Sequence, residues 1–337
     1  MKIQLPYSSG IELVEGCNRL CSFCGLTSMW KDPSHRIIKF MDINLAKELA
    51  IDYGKWFIKK RIDFAEHGEP TLHPELFPII ATFRYHNPTV QLQLTTNGIL
   101  IRKYGVGFIK EIFKSGLNIL LIDTYTNRKE IEDIVNYSGY PVSDYYDPLN
   151  KVNPYGYNSN KIQTIVLMGD IEQYNKKRTT RKIHNNAGNT YKTNLSDLGI
   201  VIEPLPLVKK CSRPFRELVV HNDGTVPICC YDFRHEFIIN KFPDFSLQEI
   251  WNSSIFNIAR SVLFSKNRTF APCYKCNFNG GFRIGLIRWD RALKSSDIET
   301  LKDHKLLMSK YRHPSVIDPL WIENKNIGIS KFIKGEK

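Results

Sequence analysis

No stretch of this chain stays apolar over the roughly 20 residues that a helix needs to cross a bilayer. The opening Met1-Lys2-Ile3-Gln4-Leu5-Pro6-Tyr7 also lacks the uninterrupted apolar region of a secretory leader. Both absences predict a cytoplasmic protein with no membrane partner. Acidic residues are in short supply, 34 Asp and Glu against 47 Lys and Arg, for a formal net charge of +13. That excess points to an acidic partner, a nucleic acid or an acidic peptide, yet no recognised nucleic-acid module accompanies it. Its densest run, Lys176-Lys177-Arg178-Thr179-Thr180-Arg181-Lys182, reads equally as a solvated loop. Extensive disorder is not the expectation: 337 residues with 42% hydrophobic and 12% aromatic content can bury one large core or two smaller ones.

Cysteine is missing between Cys24 and Cys211, and again after Cys276. The eight present could pair as four disulfides, but disulfides are rare in reducing cytosol, and tight C-x2-C spacings there favour metal. Cys17, Cys21 and Cys24 are spaced C-x3-C-x2-C. On a helix they would share one face as small hydrophobes; flanking Gly16 and Gly25, with Asn18, Arg19 and Ser22 between, suit a loop better. Three thiolates hold three irons of a four-iron cluster and leave the fourth open to a ligand, whereas a purely electron-transferring cluster takes four. Ile11 to Glu15 alternates apolar and acidic residues and predicts a strand leading into that loop.

Further on, Asp42 is the expected N-cap of a helix bearing Leu45, Leu49, Tyr53 and Trp56, and Leu76, Ile79, Ile80 and Phe83 mark a second. Strands are predicted over Ile62 to Glu66, Val90 to Gly98, Leu117 to Asp123 and Lys161 to Met168, with helices at Phe108 to Gly116 and Lys129 to Asn136. Such alternation implies a parallel sheet covered by helices, as a barrel or a doubly wound sheet. Residues 137–160, rich in Tyr, Pro, Asn, Asp and Gly, are expected to form a long loop whose tyrosines, Tyr140, Tyr145, Tyr146, Tyr155 and Tyr157, pin it down or stack on a ligand. Val219-Val220 and Val226-Ile228 flank Asn222-Asp223-Gly224, a β-hairpin signal that would bring Cys211 and Cys229 together. A helical stretch, Leu247 to Leu263, precedes Cys273-Tyr274-Lys275-Cys276. By chemistry alone these four thiolates suit either a structural zinc or an iron-sulfur cluster.

The cysteine loop with Phe23 before its last cysteine, followed by His67-Gly68-Glu69-Pro70, resembles the radical S-adenosylmethionine (radical SAM) superfamily. The resemblance implies an α/β fold: a partial (β/α)6 radical SAM barrel followed by a small α+β twitch (SPASM-like) cluster domain. It places the core over residues 1–205, the cluster domain over 206–285 and a C-terminal extension over 286–337. Cys17, Cys21 and Cys24 would hold the SAM-binding 4Fe-4S cluster. Phe23, His67, Gly68, Glu69, Pro70, Asn97 and Asp123 would contact SAM, with His67 standing where Gly is commoner. Ile165 to Glu172 is a partial match to the family's adenine-side strand. Cys211, Cys229, Cys273 and Cys276 would hold one auxiliary 4Fe-4S cluster, since no further cysteine follows for a second, as in dehydrogenases that oxidise an aminocyclitol alcohol. Cys230 is left over as a packing residue beside it. The chemistry implied is reductive cleavage of SAM to a 5'-deoxyadenosyl radical and oxidation of a peptide or a small hydroxylated or amino substrate, fed by a donor such as flavodoxin or ferredoxin. Modification of a nucleic acid is the alternative, and a zinc-stabilised binding protein the non-enzymatic one. His67, Asp232, Arg234 and His235 are candidate participants in proton removal or hydrogen-bonding supports near a cluster.

Overall fold

The computed structural model describes residues 5–21, 24–29, 37–57, 60–125, 128–145, 159–168, 187, 189 and 205–278. Strand β1 (Ser8–Ile11) opens the chain, and β2 (Val14–Glu15) pairs antiparallel with β3 (Lys39–Phe40) around α1 (Gly25–Met29). Helix α2 (Ile43–Trp56) starts where Asp42 accepts from the Asn44 and Leu45 amides, and it buries Leu49, Tyr53 and Trp56. Then follow β4 (Arg61–Asp63), α3 (Leu76–His86), β5 (Gln91–Thr96), α4 (Ile99–Lys114), β6 (Ile119–Asp123), α5 (Arg128–Asn136), β7 (Val142–Asp144) and β8 (Thr164–Met168). After them come α6 (Arg213–Arg216), β9 (Glu217–Val220), β10 (Thr225–Pro227), β11 (Ile238–Lys241), α7 (Leu247–Asn252) and α8 (Ser254–Phe264).

Seven strands form one sheet in the order β7-β8-β6-β5-β4-β1-β9, and every neighbouring pair in it runs parallel. Leu92 and Leu94 of β5, Leu120 and Ile122 of β6, and Ile165 and Leu167 of β8 join one large core with Leu49, Ile79, Phe83 and Ile112 of the helices. The other face carries polar residues along β4 and β5: register sets Arg61 beside Gln91 and Asp63 beside Gln93. Gln91 and Gln93 are nevertheless buried. Alternation in β5 therefore separates an apolar outer layer from a polar lumen, and not a core from solvent.

Four expectations are corrected. The first sheet strand is β1, not Ile11 to Glu15, because Glu12 leaves the ladder to enter the interior and Val14–Glu15 turns to pair with β3. The hairpin does not form: the turn is tight, with His221 N–H donating to Thr225 O at 2.9 Å, but β9 joins the barrel sheet beside β1 while β10 pairs with β11. Residues 137–160 are not loop throughout, since β7 lies within them and extends the sheet, with Tyr140 packed on Phe113 and Tyr145 on the Ile119, Leu121 and Val166 cluster. Tyr146, Tyr155 and Tyr157 lie outside the described residues. Leu247 to Leu263 is two helices, because Ser253 is extended and its side chain caps α8.

Candidate functional site

The site stands at the carboxyl ends of the strands, where ligands of α/β sheets collect. Gly16, beyond β2, and Gly68, beyond β4, form a parallel bridge in which Glu69 N–H donates to Gly16 O at 2.9 Å. A Cβ at position 68 would sit 1.9 Å from Val14 O and 2.6 Å from Gly16 O, so only glycine lets the two loops close on each other. Pro70 begins a short 3-10 turn, Pro70–Leu72, capped by the Glu69 side chain.

Glu69 organises the centre. Its Oε1 accepts from Thr71 N (3.1 Å), Thr71 Oγ1 (2.5 Å) and Thr96 Oγ1 (2.7 Å), and its Oε2 from Asn97 N (2.7 Å). Burial raises its pKa, and those donors oppose the shift. Asn97, just past β5, then directs its Nδ2 to Asn18 Oδ1 (2.8 Å) and Cys17 Sγ (3.5 Å). Asp123 ends β6; burial pushes it up to about 6, against a Tyr125 hydrogen bond and the Arg19 charge. Arg19, from the cysteine loop, lies 4.2 Å over the Tyr125 ring. Cys17, Cys21, Gly68, Glu69, Pro70, Asn97 and Asp123 thus meet around one loop. Cys24 closes it, its N–H donating to Cys21 O at 3.0 Å. Phe23, Gly169 to Glu172 and the 176–182 basic run lie outside the described residues. His67 contributes its backbone to the bridge while its side chain turns away, toward Glu12 and the Cys230 carbonyl.

The second thiol group converges as well. Cys211, Cys229, Cys273 and Cys276 line one cavity with Ile228, Leu263 and Arg268. Arg268, 1% exposed, donates to Lys209 O (2.8 Å), Lys210 O (2.7 Å) and Phe278 O (2.6 Å), locking the Cys211 and Cys276 segments together. Cys230 does not line that cavity; its Sγ faces Glu217 Oε2 at 3.8 Å, on the lumen side. Asp232 accepts from the Glu236 and Phe237 amides and so holds its own loop, while Arg234 donates to Asn189 Oδ1 of a distant segment.

Residues 11–177 match the family described as the radical SAM superfamily, and residues 211–277 match the iron-sulfur cluster-binding SPASM domain. The chain belongs to the radical SAM superfamily. Among curated relatives, a GTP 3',8-cyclase of Thermodesulfovibrio yellowstonii is 25% identical over 175 residues, covering 49% of this chain and 50% of that protein. A probable GTP 3',8-cyclase of Sulfurisphaera tokodaii is 24% identical over 283 residues, covering 71% and 86%. The chain thus spans half the length of the first of these relatives. The crystal structure of BtrN in complex with AdoMet and 2-DOIA superposes with a TM-score of 0.59 at 18% identity, over 82% of this chain and 94% of that one, a likeness of fold. Among the described residues no helix is long and apolar enough to cross a membrane.

As a radical SAM enzyme with a SPASM domain, the protein uses S-adenosylmethionine, a 4Fe-4S cluster and auxiliary iron-sulfur. The donors suit those groups. Burial holds the Cys17 thiol up at about 11, and raises Cys229 and Cys273 too, with repulsion from neighbouring thiols, Cys230 foremost for Cys229 and Cys211 for Cys273, as a second cause. Thiols so placed ionise when iron supplies the compensating charge. Cys17 Sγ also accepts from Arg19 N at 3.3 Å, and Cys276 Sγ from Phe278 N at 3.4 Å.

The sequence reading missed the lumen. Asp63 accepts from Gln93 Nε2 at 2.8 Å and is pushed by burial up to about 6. Glu66, packed where a Gly10 Cβ would be, is pushed by burial up to about 8. Arg61 Nε and Nη1, Gln91 Oε1 and Gln93 Oε1 are buried without hydrogen-bond partners among the described residues. Only the polar member of each alternating pair in β4 and β5 hinted at this.

Proposed function

We propose that the enzyme performs a net two-electron oxidation of a small polar substrate bearing hydroxyl or amino groups, producing a carbonyl, an unsaturation or a cross-link. Cys17, Cys21 and Cys24 hold the SAM-binding cluster, with Gly68, Glu69, Pro70, Asn97, Asp123, Phe23 and the His67 backbone shaping the SAM pocket. Cys211, Cys229, Cys273 and Cys276 hold the auxiliary cluster within residues 206–285, a segment that also lends β9 to the sheet of the 1–205 core. When bound, these groups supply a 5'-deoxyadenosyl radical that takes a substrate hydrogen atom and, at the auxiliary cluster, a sink for the second electron.

The observation that carries the reading is the set of orphaned polar atoms in the lumen. Buried donors and acceptors without partners are costly, and a ligand with several hydroxyl or amino groups relieves them. Arg61 and Gln93 bind and orient that ligand. Burial raises Asp63 to about 6 and Glu66 further, to about 8, an order that suits Asp63 to accept the proton that leaves with the second electron and Glu66 to donate a hydrogen bond. The electron donor is a flavodoxin or ferredoxin. Relatives described as GTP 3',8-cyclases favour a second reading in which the substrate is a nucleotide.

Reduced, cluster-loaded protein incubated with SAM and a deuterated pool of aminosugars, cyclitols, peptides and nucleotides tests the proposal. The expected result is deuterium in 5'-deoxyadenosine and a product lacking two hydrogen atoms. A product isomeric with a nucleotide supports the second reading, and a modified peptide would overturn the choice of a small substrate.

A further inference from the structure

Three side chains not used above meet where β1, β4 and β9 end. Glu12 and His221 are fully buried and His67 is 4% exposed. One ligand-capable atom from each lies within 4.8 Å of the others. Each side chain is also held from behind. Glu12 Oε2 accepts from Asn222 N–H at 3.1 Å, leaving Oε1 to face His67 Nδ1 at 3.0 Å. His67 Nε2 lies 2.6 Å from Cys230 O, and a carbonyl can only accept, so Nε2 carries a proton and Nδ1 is the nitrogen offered inward. Thr225 Oγ1 donates to Asp223 Oδ1 at 2.7 Å, so it accepts from His221 Nδ1 at 3.0 Å. In the neutral imidazole that bond leaves His221 Nε2 as an unprotonated lone pair, buried and without a hydrogen-bond partner among the described residues.

We propose that Glu12 Oε1, His67 Nδ1 and His221 Nε2 bind a divalent first-row transition ion, a zinc or ferrous ion by the preference of two imidazoles and a carboxylate. The arrangement has the marks of a ligand set whose outer partners fix each imidazole's tautomer. Without an ion, a doubly protonated His67 can pair with Glu12, but nothing among the described residues then satisfies His221 Nε2; an ion satisfies all three. On binding, the ion displaces the Nδ1 proton of His67 to solvent. The site also gives a physical sense to His67, which stands where the family more often has Gly. An ion here ties the Gly68 turn, through His67, to the Cys229-Cys230 segment, through the Cys230 carbonyl, and so joins the two cysteine groups mechanically.

The test uses the full chain with its clusters reconstituted without oxygen, equilibrated with zinc and desalted. Elemental analysis is expected to find one zinc per chain in addition to cluster iron, and zinc-edge X-ray absorption a nitrogen and oxygen shell at about 2.0–2.1 Å with no sulfur. Zinc is expected to raise Tm. His221→Ala and, should that variant not fold, His67→Gly are expected to lose the zinc while keeping cluster iron, with no zinc-dependent change in Tm. Failure of the wild type to retain zinc, sulfur in the zinc shell, or full retention by both variants would overturn the proposal.

Discussion

Glu69→Gln is the sharpest probe of the proposed SAM pocket. The carboxylate takes four donors on two oxygens, three on Oε1 and Asn97 N–H on Oε2. An amide of the same shape has one acceptor. If its oxygen stays with the two threonines, its NH2 group meets the Asn97 N–H donor to donor, where 2.7 Å now separates acceptor and donor. Orphaning that buried amide costs about 1–3 kcal/mol, and the bonds that survive lose their charge assistance. Asn97 is the residue that reaches Cys17 Sγ and Asn18, so the loss falls on the pocket and not on the core. SAM affinity is expected to fall by about 10- to 100-fold at 1.4 kcal/mol per decade. Anaerobic titration calorimetry and the change in the cluster's paramagnetic spectrum on adding SAM measure it, with iron content as the control. Wild-type affinity in the variant would refute the role given to the four donors on Glu69 in shaping the pocket.

Four further outcomes follow from the geometry. Replacing Cys17, Cys21 and Cys24 by Ala is expected to abolish release of 5'-deoxyadenosine, measured by chromatography, while the auxiliary absorbance persists. Gly68→Ala forces a methyl group against two backbone oxygens, which cannot retreat as a side chain would, so SAM binding is expected to be lost in calorimetry while circular dichroism keeps the helical signal. Asp63 has its folded pKa raised from 3.8 to about 6, so the folded state binds the extra proton and stability falls as pH rises between those values; Asp63→Asn is expected to flatten the dependence of Tm on pH across that window and to uncouple SAM cleavage from product formation. Arg268→Ala is expected to lower auxiliary iron and sulfide at least severalfold, since three carbonyls that flank Cys211 and Cys276 lose their common donor.

Much of this was legible from local pattern. The apolar spacing of α2 and α3 and the Asp42 cap define those helices, and Leu92 and Leu94 alternating with glutamines define β5, because side-chain period and backbone geometry are the same fact. Cysteine spacing and the Gly-Glu-Pro turn were legible for the same reason, since each motif sits within one short loop, and the structure closes the two loops on each other at Gly16 and Gly68. What failed was long-range pairing. Asn222-Asp223-Gly224 has hairpin chemistry, yet β9 is satisfied by β1, some 200 residues earlier. Glu12, His67 and His221 share no sequence window, so their meeting shows only once β1, β4 and β9 lie side by side.

The placement of β9 carries a consequence for anyone dividing this protein. Ser8 to Ile11 runs between Arg61 to Asp63 on one flank and Glu217 to Val220 on the other. A fragment ended at residue 205 would strip the second flank and bare a row of unpaired amides and carbonyls along Ser8 to Ile11, a template for self-association. Severing the cluster-bearing tail is therefore expected to yield sticky, oligomerising material and not a tidy minimal enzyme, as light scattering of the truncated chain can show.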